Sequence, residues 1–154
     1  MSVAFRRESD EEHLEPKFEL PLPPGPNPVT ARGLALIEAK VAEFEAAVDA
    51  ATEDDPRKAA NRDLRYWRSR LATAQLAPAP SGESVAFGTS VTIEQAGTTR
   101  ILHLVGHDES DPATGRIAFT APLARALIGS EVGDEIEAAD APITIVAIQI
   151  PDNR

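Results

Sequence analysis

The sequence predicts an α+β protein: an N-terminal antiparallel helical hairpin, built as a short coiled coil, then a C-terminal antiparallel sheet with one short helix. Three observations carry this. Between Thr30 and Leu76, two apolar series (Leu34, Ile37, Val41, Phe44, Val48, Ala51 and Ala60, Leu64, Trp67, Leu71, Ala74) alternate steps of three and four, which keeps one seam facing a partner helix. Beyond the proline-rich stretch Ala77-Pro78-Ala79-Pro80-Ser81-Gly82 the apolar period changes from about 3.6 to about 2, the change from helix to half-buried strand. Near the middle of that second half, Pro122 and Gly129 bracket a short apolar run, with proline where a helix starts and glycine where it stops.

Taken in order, residues 1–28 form a proline-rich acidic tail. They hold six of the thirteen prolines and the acids Glu8, Asp10, Glu11, Glu12 and Glu15. Pro21, Pro23, Pro24, Pro26 and Pro28 forbid a helix and remove sheet donors, so the segment is expected to be extended. Phe18, Leu20 and Leu22 are its candidates for contact with a neighbouring surface. The hairpin is assigned to 29–76. Thr30 is the expected N-cap of the first arm, which runs to about Ala51. The turn is Thr52-Glu53-Asp54-Asp55-Pro56, with Pro56 expected to open the second helix and Asp54 or Asp55 to cap it. A linker at 77–83 leads to a sheet domain at 84–150. Its first strand is expected to alternate through Val85, Phe87, Val91 and Ile93, with others at 101–105, 116–120, 135–138 and 143–150.

Composition narrows the function. No cysteine is present, so disulfides, thiolate metal sites and cysteine nucleophiles are excluded. No apolar run approaches the roughly 20 residues of a membrane span, and Arg6-Arg7 lacks the apolar segment of an export signal, so the expected location is the cytoplasm, away from membranes. A formal net charge of −10 opposes general nucleic-acid binding. The second helix is the exception, carrying Arg57, Lys58, Arg62, Arg65, Arg68 and Arg70 against Asp63. This face either pairs with Glu38, Glu43 and Glu45 across the hairpin or, through Arg57, Lys58, Arg62 and Arg65, meets RNA or an acidic surface.

No phosphate loop, nucleophile elbow or HExxH helix occurs, so no catalytic residue of the chain's own is assigned. His103, His107, Asp108 and Glu109 lie together at a strand end, but two histidines without ligand spacing are weak grounds for a metal. The acids with chemical promise are at the hairpin tip: Asp49, Glu53, Asp54 and Asp55. Carboxylates suit magnesium, which takes one or two of them and keeps several waters. In isolation no metal or other cofactor is expected.

The segments Val85-Ala86-Phe87-Gly88, Leu104-Val105-Gly106-His107-Asp108-Glu109, Pro122-Leu123-Ala124-Arg125-Ala126-Leu127 and Val132-Gly133-Asp134 resemble the GreA/GreB family of bacterial transcription elongation factors, as do Thr30-Ala31-Arg32-Gly33 and Ala74-Gln75. The resemblance implies a coiled-coil finger on an FKBP-like domain. It also implies docking on the rim of RNA polymerase's secondary channel, here through Thr120, Ala121, Pro122 and Leu123, with RNA or DNA met only inside that complex. In such factors the tip acids help hold the polymerase's own magnesium for cleavage of backtracked RNA. This chain departs from the pattern in two places. Its arms are several turns shorter and its tip reads Glu53-Asp54-Asp55-Pro56-Arg57-Lys58, which argues for docking without cleavage, as in Rnk-type regulators. Thr120-Ala121 also replaces the family's acid and serine before the short helix.

Overall fold

The computed structural model of the chain describes residues 19–151. Glu8, Asp10, Glu11, Glu12, Glu15 and Phe18 lie outside those residues. Proline does not keep the end of the tail out of a sheet. Pro28–Val29 form a two-residue strand, β1, parallel to a second strand farther along the chain. Pro28 itself has no N–H to give, but its neighbours' carbonyls accept: Gln75 N–H bonds Asn27 C=O at 3.0 Å and Ala77 N–H bonds Val29 C=O at 3.0 Å.

Helix α1 spans Ala31–Ala50 and helix α2 spans Asp54–Thr73, each of 20 residues. At ~1.5 Å per residue each arm is about 30 Å long. Thr30 caps α1 as its sequence position predicts, its hydroxyl accepting from Gly33 N–H at 2.9 Å. The seam is buried deepest at Ile37, Ala60 and Leu64, while Trp67 is half-buried and stacks edge-on against Tyr66 at 5.0 Å. Two details of the turn differ from expectation. Glu53, not Asp54 or Asp55, holds the N-cap position of α2 and makes no side-chain cap bond; Pro56 is therefore its third residue. Both aspartates lie in the first turn, where the helix dipole favours negative charge without a capping bond. The second arm also ends earlier than expected, because Gln75–Leu76 leave the helix to form β2 against β1.

The sheet comprises β3 (Ser90–Gln95), β4 (Thr98–Val105), β5 (Arg116–Ala118), β6 (Glu135–Ile136) and β7 (Ile143–Gln149), in the order β5-β4-β3-β7-β6. Helix α3, Pro122–Leu127, covers its inner face, where Ala124 and Leu127 meet Val91, Ile93, Leu104 and Ile145. The first strand starts at Ser90. Val85 still enters the core, from a turn that brings Gly88 N–H 2.9 Å from Leu104 C=O at a φ of +90°. A register shift after Thr92 leaves Val146 as an extra residue on β7, half exposed.

The sheet is mostly antiparallel, as expected, with one exception: β4 and β5 run parallel, His103 beside Arg116. The reason lies between them. Instead of a tight hairpin the chain makes a long loop, containing the 3-10 turn Pro112–Thr114, and a loop of about that length can return the chain to run the same way. That loop then reaches the base of the hairpin.

Candidate functional site

The expected residues fall into two separate groups. At the hairpin tip Asp49, Glu53, Asp54 and Asp55 are all exposed, with the Asp54 side chain 86% accessible. Nothing there is built to hold an ion: among the described residues no three His, Asp or Glu side chains converge on one point. Arg57 closes the turn, donating to Ala51 C=O at 2.6 Å and lying 3.8 Å from Asp54. Lys58 is exposed beside it, and Arg62 lies 3.8 Å from Asp63. Arg65 donates through Nε to both carboxylate oxygens of Glu19, at 2.7 and 2.8 Å, which holds the Glu19 carboxyl below the usual carboxylate range. Of the acids expected to face α2 across the hairpin, Glu45 is seen paired, with Arg68 at 3.0 Å, whereas Glu43 bonds Lys40 on its own helix. Exposed pairs of this kind are individually weak, so the basic face can exchange them for another acidic partner.

The second group is at the start of α3. Thr120 and Pro122 are exposed, Ala121 and Leu123 half-buried with their apolar sides against the core. Ala121 occupies the N-cap position without a side-chain bond, and Pro122 is the first helical residue, so a rigid edge stands free at this end of the sheet domain.

Between the two groups is a constellation that spacing alone does not reveal. Arg70, in the last turn of α2, donates through Nε to Asp108 Oδ2 at 2.6 Å, with both side chains nearly buried (4% and 6% exposed). Its Nη2 donates to Asn27 Oδ1 at 2.8 Å, and Asn27 Nδ2 returns bonds to Arg70 C=O at 2.9 Å and to Thr73 Oγ1 at 3.1 Å. The other Asp108 oxygen accepts from Tyr66 Oη at 2.5 Å. Next door, Glu109 accepts from Thr30 Oγ1 at 2.6 Å and from Arg32 Nη1 at 3.0 Å. The 106–115 loop is thereby fastened to both arms of the hairpin. The same bonds occupy the carboxylates of the conceivable metal cluster. Asp108 and Glu109 are committed to the hairpin, His103 Nδ1 shares a hydrogen bond with Ser90 Oγ at 2.6 Å, and His107 packs edge-on against Phe119.

The clamp has a direct spectroscopic consequence. Burial, the bond to Asp108 and the charge of Asp108 push the Tyr66 phenol up to about 12. Only the neutral phenol fits beside the carboxylate, so this contribution is complete below the usual value of 10.0 and is lost as pH rises through about 12. Tyr66 is the chain's one tyrosine, so absorbance near 295 nm reads it alone. The folded protein is expected to titrate near 12 and Asp108→Asn measurably lower; a wild-type midpoint near 10 would rule out the buried contact.

The family "Transcription elongation factor, GreA/GreB, C-term" matches residues 79–150, which is the sheet domain. Across both parts the chain is 30% identical to transcription elongation factor GreA of Desulfovibrio desulfuricans, covering 82% of this chain and 87% of that relative. The chain belongs to the GreA/GreB family of transcription elongation factors. That alignment runs over 151 positions, more than this chain contributes, so the relative has segments without a counterpart here. GreA of Beijerinckia indica is 36% identical over 98 residues, 62% of this chain and 60% of that protein. Among solved structures the chain is similar to a GreA/GreB factor from Nitrosomonas europaea at 18% identity and a TM-score of 0.42, covering 82% of this chain and 99% of that one. Among the described residues no helix is long and apolar enough to cross a membrane.

Proposed function

We propose that this GreA/GreB-family protein regulates elongation by binding bacterial RNA polymerase at the rim of the secondary channel. The docking edge is Thr120, Ala121, Pro122 and Leu123, and the hairpin points into the channel. The protein acts as an accessory to the polymerase and meets RNA or DNA only inside that complex, where Arg57, Lys58, Arg62 and Arg65 contact RNA or the channel wall. The observation that carries this reading is the buried clamp at the base of the hairpin. A rod that enters a channel must keep one attitude relative to its docking surface, and a buried ion pair with every partner in place supplies that constraint.

The favoured mode is occupancy without cleavage. Magnesium accepts oxygen ligands only near ~2.1 Å, so an arm of about 30 Å that stops even a few ångströms short contributes nothing to the metal. A second reading rests on the exposure of Asp54 and Asp55: if the tip does reach, these acids share the polymerase's magnesium and promote transcript cleavage. Adding the protein to a backtracked elongation complex separates the two. In the favoured mode the RNA is not shortened and a cleavage factor added later is inhibited; tip-dependent shortening establishes the second reading.

Binding is tested alongside. Pro122→Asp puts a carboxylate at the first position of α3, which the helix tolerates, so the change acts on the exposed edge and not on the fold. Co-sedimentation with core polymerase is expected to weaken at least ~tenfold for this variant, about 1.4 kcal/mol. It is expected to persist when Glu53, Asp54 and Asp55 are all alanine. Equal binding by both variants removes the docking assignment.

A further inference from the structure

A cavity of about 330 Å³ opens where the hairpin base, the linker and the outer face of the sheet meet. That is within the size range of small-molecule pockets, about 300–1,000 Å³. Its walls are apolar: Leu76 of β2 and Pro78 and Pro80 of the linker line it with Phe87 and Ile150. Its polar end holds Thr30, Arg32, His103, Glu109 and Arg116. Neither the polymerase-docking edge nor the tip takes part in it.

Charge accounting at the polar end decides what it can hold. Glu109 is neutralised by Arg32 at 3.0 Å and bonded by Thr30 at 2.6 Å. Burial and the nearby Arg116 charge push the His103 imidazole below its usual value of 6.5, so it is neutral at pH 7. Arg116 donates to the Thr114 hydroxyl at 2.9 Å. Its neighbour Asp111 bonds it through the backbone, at 2.8 and 3.1 Å, and among the described residues the Arg116 guanidinium forms no ion pair. One positive charge is left at the end of an apolar slot whose linker wall is stiffened by two prolines, and a stiff wall lowers the ordering cost of binding.

The geometry points to a binding site for a small organic monoanion, a carboxylate or sulfonate on an aromatic or alicyclic body, with the anion on Arg116 and the apolar body between the linker prolines and Phe87. Because the site touches the hairpin start, the linker and the sheet together, its ligand bridges the two parts of the protein. A neutral ligand of the same shape forgoes the charge-assisted bonds, and a dianion leaves one charge unpaired in a mostly apolar slot.

The test uses the full chain and 1-naphthoate as the probe, followed by amide and histidine ring NMR shifts, with 1-naphthalenemethanol as the uncharged match. The expected result is saturable binding of 1-naphthoate, with shifts concentrated at Leu76, Phe87 and His103, and much weaker binding of the alcohol. Arg116→Gln is expected to weaken 1-naphthoate roughly tenfold. Arg100→Gln, an exposed charge on the neighbouring strand β4 and outside the cavity lining, is expected to leave it unchanged. No saturation up to about 10 mM, equal binding of acid and alcohol, equal loss in the two arginine variants, or shifts spread over the surface would each overturn the assignment.

Discussion

Asp108→Ala is expected to destabilise the protein by about 3–5 kcal/mol, the cost of leaving a buried charge without its partner. The substitution strands the Arg70 guanidinium, only 4% exposed, and removes the acceptor of Tyr66 in the same step. At roughly 2–4 °C per kcal/mol for a chain of this size, the thermal midpoint falls on the order of 10 °C. Asp54→Ala at the tip is the contrast. It removes the same functional group from a solvated site, and its effect stays within about 0.5 kcal/mol. The double variant Arg70→Met with Asp108→Leu should recover part of the loss, because a buried ion pair replaced whole by apolar groups is often neutral or stabilising, while Tyr66 and Asn27 still lack their partners. A single Asp108→Ala variant melting within a degree or two of the wild type would show that the clamp is not closed in solution.

The clamp is also where sequence reading ran out. The hairpin was legible because a helix seam repeats locally: Ile37, Ala60 and Leu64, picked by spacing, are buried. Thr30 was legible as a cap because capping is decided within one turn. The strand-helix-strand pattern around Pro122–Leu127 was equally local. Arg70 and Asp108 are 38 residues apart, and neither has a spacing that names the other. In the sequence Arg70 reads as the last of a run of solvated basic residues, and Asp108 as a loop acid beside two histidines. The available signal was the pair Asp108-Glu109 placed shortly after the apolar end of a strand, Leu102-His103-Leu104-Val105, where carboxylates need partners. The parallel β4–β5 pairing was missed for a related reason. Glycine and proline at 112–115 mark a turn correctly but do not say which way the next strand runs. The tip acids were legible as a run of carboxylates at a turn and the docking residues by family resemblance, and the exposure of the tip acids, Thr120 and Pro122 is the structural fact that makes them testable.

Gly106→Ala is expected to cost about 1–3 kcal/mol, by overpacking. A methyl group there would lie 2.6 Å from the Pro28 carbonyl oxygen and 3.9 Å from Val29 Cα. The obstacle is backbone, so no side chain can swing aside. Either the 106–115 loop retreats, stretching the Asp108 and Glu109 bonds, or β1 moves, breaking its pairing with β2. Gly106 has no positive φ, so the expected loss measures close packing and not conformational preference. Gly97 supplies the opposite case: φ is +78° with nothing within 4 Å, and Gly97→Ala should cost about 1–2 kcal/mol from backbone strain alone. Denaturant unfolding gives both totals, and the Tyr66 titration separates the causes. Gly106→Ala should lower the tyrosine midpoint from about 12 because the loop carrying Asp108 has shifted, whereas Gly97→Ala should leave it in place. If Gly106→Ala were neutral and the tyrosine unmoved, the loop and β1 would not be in contact. The hairpin attitude that the proposed channel insertion needs would then rest on the Asp108 and Glu109 bonds alone.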